Sequence, residues 1–142
     1  MIRINETFIN EINVHAETEY PYECCGLLLG KIANDKTKSV EKLMPISNAR
    51  EEKQKHNRFL ITPDEIMKGE LFARKNNLDV LGFYHSHPDH PSAPSGYDLE
   101  HAWPFYSYII VSVVKGKADL LTSWEMENDR SKFNSEPIDK GE

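Results

Sequence analysis

The sequence predicts an α/β (α+β) fold in which a mixed central β-sheet is flanked by helices. Three observations predict this class: helical patterns with capping signals, several short apolar segments of strand length, and turn residues between them. The chain has 142 residues, which is enough to close a single hydrophobic core. We therefore expect one domain over residues 1–127, followed by a polar, flexible tail over residues 128–142.

Three segments carry helix signals. Residues 5–19 place apolar side chains on one helical face and acids on the other, and Pro21 ends the pattern. Residues 62–65 read Thr-Pro-Asp-Glu, which combines an N-cap threonine, a proline at the first helical position and a glutamate three residues after the cap. This second helix should run to about residue 76 or 77. A short third helix is predicted over residues 95–101.

Short apolar or alternating segments predict the strands of the sheet. They are bounded by turn residues and are too short for helices. Residues 48–57 are charged and aperiodic, which predicts a loop. Residues 88–94 contain three prolines, which end the strand before them. The predicted strands cover residues 24–32, 38–47, 58–61, 79–87, 107–114 and 118–126, with a turn at residues 115–117 between the last two.

The charge balance excludes two classes of partner. The chain has 17 basic and 23 acidic residues and a net charge of −6. Nucleic acids and anionic membranes both select basic surfaces, so we expect neither as a partner. No apolar run approaches the roughly 18 residues that a membrane span needs, and the N-terminus lacks the apolar stretch of a signal peptide. We therefore expect a soluble, cytoplasmic protein whose neighbouring Cys24 and Cys25 are reduced.

Three residues in one stretch can converge on a metal ion. His85 and His87 are two residues apart on a predicted strand, so their side chains point to the same face. The proline-rich loop then returns the chain, which lets Asp98 supply a third ligand. A catalytic zinc site has three protein ligands, here two imidazoles and one carboxylate, and leaves the fourth position to water. Structural zinc sites mostly use cysteine.

Two further residues are candidates for catalysis. Glu23 stands at the mouth of an apolar strand, where a carboxylate costs free energy unless it has a task or a partner, and it is the best candidate base. Ser95 lies three residues before Asp98 and could hydrogen-bond the water or an oxyanion. Each residue alone has an ordinary structural explanation: Ser95 and Asp98 form a capping box, and Glu23 suits a solvated strand end. Their occurrence together, at the right spacing, favours the catalytic interpretation.

These residues together resemble the JAMM motif of the MPN+ metalloproteases, Glu…His-x-His-x₇-Ser-x₂-Asp. Here the motif reads Glu23, His85-Ser86-His87, seven residues, Ser95, two residues and Asp98, with every position matched. Five separated positions in the family's order make the signal specific. The stretches around the glutamate and before the histidines are also similar to the family, so the resemblance covers roughly residues 2–125.

The resemblance implies a single MPN/JAMM (cytidine-deaminase-like) domain and a Zn²⁺-dependent peptidase or isopeptidase that works through metal-activated water. Carried over position by position, His85, His87 and Asp98 would bind zinc, Glu23 would act as general acid/base and Ser95 would stabilise the oxyanion. Family substrates are amide bonds at or near the C-terminal glycine of ubiquitin or ubiquitin-like proteins.

The chain is similar to compact bacterial members of the family, which act on ubiquitin-like sulfur-carrier proteins. The expected partner is therefore a ubiquitin-like or sulfur-carrier protein that ends in Gly-Gly. Such a tail can thread a narrow cleft because glycine has no side chain. We expect residues 48–58 and 88–94 to line that groove.

Two other functions stay open at this stage. A non-catalytic MPN-type scaffold would bind partners through the same fold, although such scaffolds have usually lost the ligands that this chain has. A cysteine hydrolase would use Cys24 or Cys25 with a histidine, although the run Cys-Cys-Gly-Leu-Leu-Leu is typical of a core. His90 and His101 lie near the motif, and we expect neither of them to bind zinc.

Overall fold

The computed structural model describes residues 1–46 and 61–141. Within these ranges the chain forms three helices around one mixed sheet of eight strands, which confirms the predicted fold class. The helices are α1 (Glu6–Glu19), α2 (Pro63–Lys75) and α3 (Gly96–His101). The strands are β1 (Ile2–Arg3), β2 (Cys25–Ile32), β3 (Lys38–Ile46), β4 (Asp79–Pro88), β5 (Ser107–Val114), β6 (Lys117–Met126), β7 (Phe133–Glu136) and β8 (Ile138–Asp139).

The strands are ordered β7-β6-β5-β4-β2-β3-β1-β8 across the sheet. β4 and β5 run parallel, as do β1 with β3 and β1 with β8, whereas the other neighbours are antiparallel. The predicted loop over residues 48–57 lies outside the described residues. Of the strand predicted over residues 58–61, only Ile61 is described, and it does not belong to a strand. No helix of the described ranges is long and apolar enough to cross a membrane.

Side-chain caps begin the first two helices. At α1 the Asn5 side chain accepts a hydrogen bond from the backbone N–H of Phe8 at 3.0 Å. At α2 the Thr62 hydroxyl accepts from the backbone N–H of Glu65 at 3.3 Å, and Pro63 occupies the first helical position, as the sequence predicts. These bonds satisfy N–H groups that have no partner inside the helix.

The sheet separates two apolar clusters. α1 buries Ile12 and Ala16 in a cluster that includes Leu28, whereas Ala73 of α2 packs in a second cluster that includes Leu27. Leu27 and Leu28 are neighbours on β2, and successive side chains of a strand point to opposite faces. Residues 25–30 of β2 are therefore buried on both sides, which explains why this part of the strand is continuously apolar rather than alternating.

The C-terminal residues differ from the flexible tail that the sequence predicts. β7 pairs antiparallel with β6, and β8 pairs parallel with β1, so this segment extends the sheet. Glu136 is buried, and its carboxylate accepts a hydrogen bond from the Ser123 hydroxyl at 2.7 Å. The prediction of a frayed tail was wrong because strands of two to four mostly polar residues have no apolar periodicity to reveal them.

β7 and β8 occupy opposite edges of the sheet, although only Pro137 separates them in sequence. The sheet must therefore curl until its two edges come close together. The backbone N–H of Ile2 in β1 donates to the carbonyl of Pro137 at 3.0 Å, which joins the N-terminal strand to this connection. The domain thus has a strongly curved sheet that one short segment spans from edge to edge.

Gly82 supplies a prediction about stability. A Cβ at this position of β4 would lie 1.9 Å from the carbonyl oxygen of Ser107 in β5, where the two backbones approach closely. We expect Gly82→Ala to lower the free energy of unfolding by about 1–3 kcal/mol, because the backbone must shift to accept the methyl group. Urea unfolding followed by circular dichroism measures this change.

The matched control is Gly96→Ala, because a Cβ at Gly96 would meet no atom within 4 Å. This control should unfold at nearly the same urea concentration as the wild type. Equal midpoints for Gly82→Ala and the wild type would contradict the close approach of β4 and β5.

Candidate active site

β4 and α3 bring the three predicted metal ligands together. His85 and His87 lie on the same face of β4, and Asp98 lies in the first turn of α3. The Nε2 atoms of the two histidines are 3.2 Å apart. Oδ1 of Asp98 lies 3.2 Å from Nε2 of His85, and Oδ2 lies 3.1 Å from Nε2 of His87. All three side chains are buried.

This geometry fits a tetrahedral metal ion. Ligand atoms about 2.0–2.1 Å from such an ion lie about 3.3–3.4 Å from one another, which is close to the separations of these three side chains. The donors are two imidazole nitrogens and a carboxylate oxygen, and together they occupy only three positions around an ion. The group can therefore hold a metal and leave one coordination position open.

A hydrogen bond sets which nitrogen of His87 faces the other ligands. Nδ1 of His87 lies 2.8 Å from the carbonyl oxygen of Pro91, which can only accept a hydrogen bond. Nδ1 must therefore carry the proton, and the lone pair lies on Nε2, which is the atom that faces Asp98. Partners of this kind orient the histidine ligands of metal sites.

The loop that carries Pro91 is anchored to the sheet through the carbonyls of the residues before and after this proline. The Ser112 hydroxyl donates to the carbonyl of His90 at 2.6 Å. The Thr122 hydroxyl and, at 3.2 Å, the Trp124 indole N–H both donate to the carbonyl of Ser92. Sequence reasoning missed these anchors, because hydrogen bonds to a loop carbonyl leave no pattern in the chain.

Ser95 and Asp98 form a capping box at the start of α3. The backbone N–H of Ser95 donates to Oδ2 of Asp98 at 2.8 Å, and the backbone N–H of Asp98 donates to the Ser95 hydroxyl at 3.1 Å. The structural and catalytic explanations of this pair are therefore compatible. The capping box holds the Asp98 carboxylate in place, and the Ser95 oxygen accepts a hydrogen bond while its own proton can still be donated.

Glu23 and Ser95 border the same cleft as His87. The cleft has a volume of about 460 Å³, and the loop after β4 contributes much of its wall. Glu23 is only 4% exposed, although it precedes β2 and is distant in sequence from the other site residues. Among residues 1–46 and 61–141, the lining of the cleft is Glu23, His87, His90, Pro91, Ala93, Ser95 and Tyr97.

The protonation states in the buried group suit metal binding. Burial lowers the pKa of His85, so this imidazole is neutral near pH 7 and offers a lone pair. Burial opposes ionisation of Asp98, but its interactions with His85 and His87 and the N–H of Ser95 hold the pKa of this carboxyl well below its usual range. Neutral imidazole and ionised carboxylate are the forms that bind metal ions.

The remaining histidines near the motif are placed differently. Nδ1 of His101 lies 2.8 Å from the carbonyl oxygen of Tyr97, and the two rings are stacked with centroids 4.1 Å apart. His90 borders the cleft. Within residues 1–46 and 61–141, the group of side chains close enough together to hold a metal ion consists of His85, His87 and Asp98.

The two cysteines are buried beside the site. Burial raises the pKa of the Cys24 thiol to about 12 and that of the Cys25 thiol further. A thiol is nucleophilic only after it loses its proton, so neither side chain is prepared to attack a substrate. The cysteines belong to the core, one in each of the two apolar clusters.

Comparisons with known proteins agree with the fold and the site. A family model described as prokaryotic homologs of the JAB domain matches residues 6–127. A desampylase of Haloferax volcanii is 31% identical over 108 residues, which cover 75% of this chain and 74% of that protein. A probable TtuB-protein conjugate cleaving protease of Thermus thermophilus is 28% identical over 113 residues, which cover 80% of this chain and 71% of the other.

A solved structure extends the similarity over nearly the whole chain. The solution structure of a protein from Desulfitobacterium hafniense superposes with a TM-score of 0.83 and 32% identity, covering 97% of this chain and 91% of that one. The family model covers most of the chain, and the two curated relatives are named a desampylase and a probable conjugate-cleaving protease. The chain therefore belongs to the prokaryotic JAB-domain family, and it is a hydrolase of the peptidase type.

Proposed function

We propose that this protein is a zinc-dependent metallopeptidase or isopeptidase. Its substrate would be an amide bond at or near the C-terminal glycine of a ubiquitin-like (sulfur-carrier) protein in the cytoplasm. The observation that carries the proposal is the convergence of His85, His87 and Asp98 within 3.2 Å at a cleft that Glu23 and Ser95 also border. This arrangement combines a Lewis-acid site, a base and a hydrogen-bond donor around one space.

Zinc is the metal that the donors favour. Two imidazole nitrogens and one carboxylate oxygen, with an open position, are the donor set of catalytic zinc sites. A zinc ion held by His85, His87 and Asp98 would supply Lewis acidity, which lowers the pKa of water to about 7 and polarises the scissile carbonyl.

Glu23 and Ser95 have separate roles in the proposed reaction. Glu23 takes a proton from the attacking water and delivers it to the nitrogen of the leaving amine. Its burial favours this role, because a carboxylate surrounded by protein interacts with a nearby proton donor more strongly than one in bulk water. The Ser95 hydroxyl donates to the oxygen that becomes negatively charged as the carbonyl is attacked, while the backbone N–H of Asp98 holds the hydroxyl in place.

The relatives' names and the shape of the cleft support the choice of substrate. One relative is named a desampylase, and another is named a probable protease that cleaves TtuB-protein conjugates. In this chain the wall of the cleft includes Pro91 and Ala93 from the loop over residues 88–94. A tail that ends in Gly-Gly suits such a wall because its backbone can approach closely without side-chain clashes.

Zinc content tests the metal site. We expect about one zinc per wild-type chain by elemental analysis and almost none in His85→Ala, because two remaining ligands bind zinc weakly. His101→Ala is the matched control, since His101 lies close in sequence but faces Tyr97, and it should keep the zinc. Little zinc in the wild type after reconstitution would contradict the site and favour a non-catalytic MPN-type scaffold.

Glu23→Gln tests the proposed base. We expect this variant to keep its zinc but to lose turnover by about 10²–10⁴-fold, because glutamine has nearly the same shape but cannot accept the proton. The assay follows release of a reporter amine from the C-terminal Gly-Gly of a ubiquitin-like protein. Glu11→Gln, at an exposed position of α1, should hydrolyse at the wild-type rate. Near-normal turnover in Glu23→Gln would refute the assignment.

Alkylation separates the zinc mechanism from a cysteine hydrolase. We expect iodoacetamide at pH 8 to leave Cys24 and Cys25 unmodified in the folded protein, because both thiols are buried and protonated there. Activity should survive this treatment and disappear on exhaustive chelation. Mass spectrometry in the absence and presence of urea measures the modification, and loss of activity together with alkylation of a cysteine would favour the other mechanism.

A further inference from the structure

Ser86, the residue between the two histidine ligands, has no role in the reaction as proposed above. Its side chain is fully buried. Because side chains alternate along a strand, Ser86 points away from the face that carries His85 and His87. It does not line the catalytic cleft. A buried hydroxyl in the middle of the ligand pair therefore needs an explanation of its own.

Ser86 makes two hydrogen bonds to the residue that follows Glu23. Its hydroxyl accepts from the backbone N–H of Cys24 at 2.8 Å, and its own backbone N–H donates to the Cys24 carbonyl at 3.2 Å. In a regular antiparallel pair the two residues would exchange backbone bonds only. Here a side-chain oxygen takes one of them, one position beyond the last regular pair, Cys25 with His85.

The bonded N–H belongs to the peptide unit that joins Glu23 to Cys24. Because a peptide unit is planar, a hydrogen bond to this N–H also fixes the plane of the Glu23 carbonyl and limits rotation about the last backbone bond of Glu23. Glu23 precedes β2, so the regular strand pairing does not reach it. The bond to Ser86 therefore ties the backbone of Glu23 to the strand that carries both histidines.

We propose that Ser86 is a positioning residue that holds Glu23 in register with the metal ligands. The inference rests on the proposed role of Glu23 as the base. Ser86 touches neither the cleft nor the ligands' coordinating atoms, and it acts through the Cys24 peptide. An alanine here removes the acceptor and leaves the buried N–H of Cys24 without its bond, whereas a threonine keeps the hydroxyl.

The experiment compares Ser86→Ala, Ser86→Thr and the wild type, each loaded with zinc, in the Gly-Gly amide assay. We expect Ser86→Ala to keep its zinc and a KM within about twofold of the wild-type value. Its kcat should fall by about tenfold or more, because a displaced Glu23 is no longer aligned with the attacking water. Ser86→Thr should restore kcat to within about threefold of the wild type. Ser86→Cys, which carries a weaker acceptor of similar size, should fall between the two and provides a second variant if Ser86→Ala folds poorly.

A readout independent of activity is the backbone amide of Cys24. In hydrogen-exchange NMR, its N–H should exchange measurably faster in Ser86→Ala than in the wild type or Ser86→Thr. The matched control is Ser123→Ala, which removes another buried hydroxyl that makes one hydrogen bond, here to Glu136 in a different part of the sheet. Ser123→Ala should leave both kcat and the Cys24 exchange rate unchanged.

A double-mutant cycle with Glu23→Gln decides whether Ser86 acts through Glu23. If it does, Ser86→Ala should lower kcat little further in the Glu23→Gln background, because the base is already absent. A multiplicative loss, or a Ser86→Ala enzyme with wild-type kcat, overturns the inference and leaves the proposed function intact. Wild-type protein that binds zinc but hydrolyses no Gly-Gly amide, or Glu23→Gln with normal turnover, overturns the proposed function and the inference with it.

Discussion

The antiparallel pairing of β2 with β4 is the constraint on which the whole site depends. Cys25 lies opposite His85, and this register places Glu23 beside the strand that carries both histidines. A slip by one residue would turn His85 and His87 to the opposite face and separate them from Asp98. The pairing is buried on both sides and lies in the middle of the sheet, so the register is held by packing as well as by hydrogen bonds.

Around that pairing, the polar groups of the site hold one another in place. The capping box orients Asp98, the carbonyl of Pro91 orients His87, and the sheet anchors the loop that carries Pro91. The donors and acceptors are therefore arranged before a substrate arrives. Preorganised groups of this kind need little rearrangement as charge develops, which is a main source of catalysis in enzymes.

Local spacing predicted part of this site and could not predict the rest. His85 and His87 share a face because side chains two residues apart on a strand point the same way. Ser95 and Asp98 meet because a capping box joins the N-cap residue to the residue three positions after it. The position of Glu23 depends instead on a strand pairing such as that of Cys24 and Ser86, which are 62 positions apart. No periodicity encodes such a pairing. The cost of a carboxylate at the mouth of an apolar strand made Glu23 a candidate, and the resemblance to a family then strengthened its link to the histidines.

The same limit applies to the fold. The three helices and the central strands have apolar patterns and caps that identify them, and the sequence predicted their type and order. β1, β7 and β8 are two to four residues long and have no pattern of their own. They form because neighbouring strands offer free backbone groups. One of these pairings, between β1 and β8, joins opposite ends of the described chain. During synthesis the curved sheet therefore cannot close until residues 138–139 have left the ribosome. Closure is a late event in folding, although β2 and β4, which position Glu23 and the two histidines, are made much earlier.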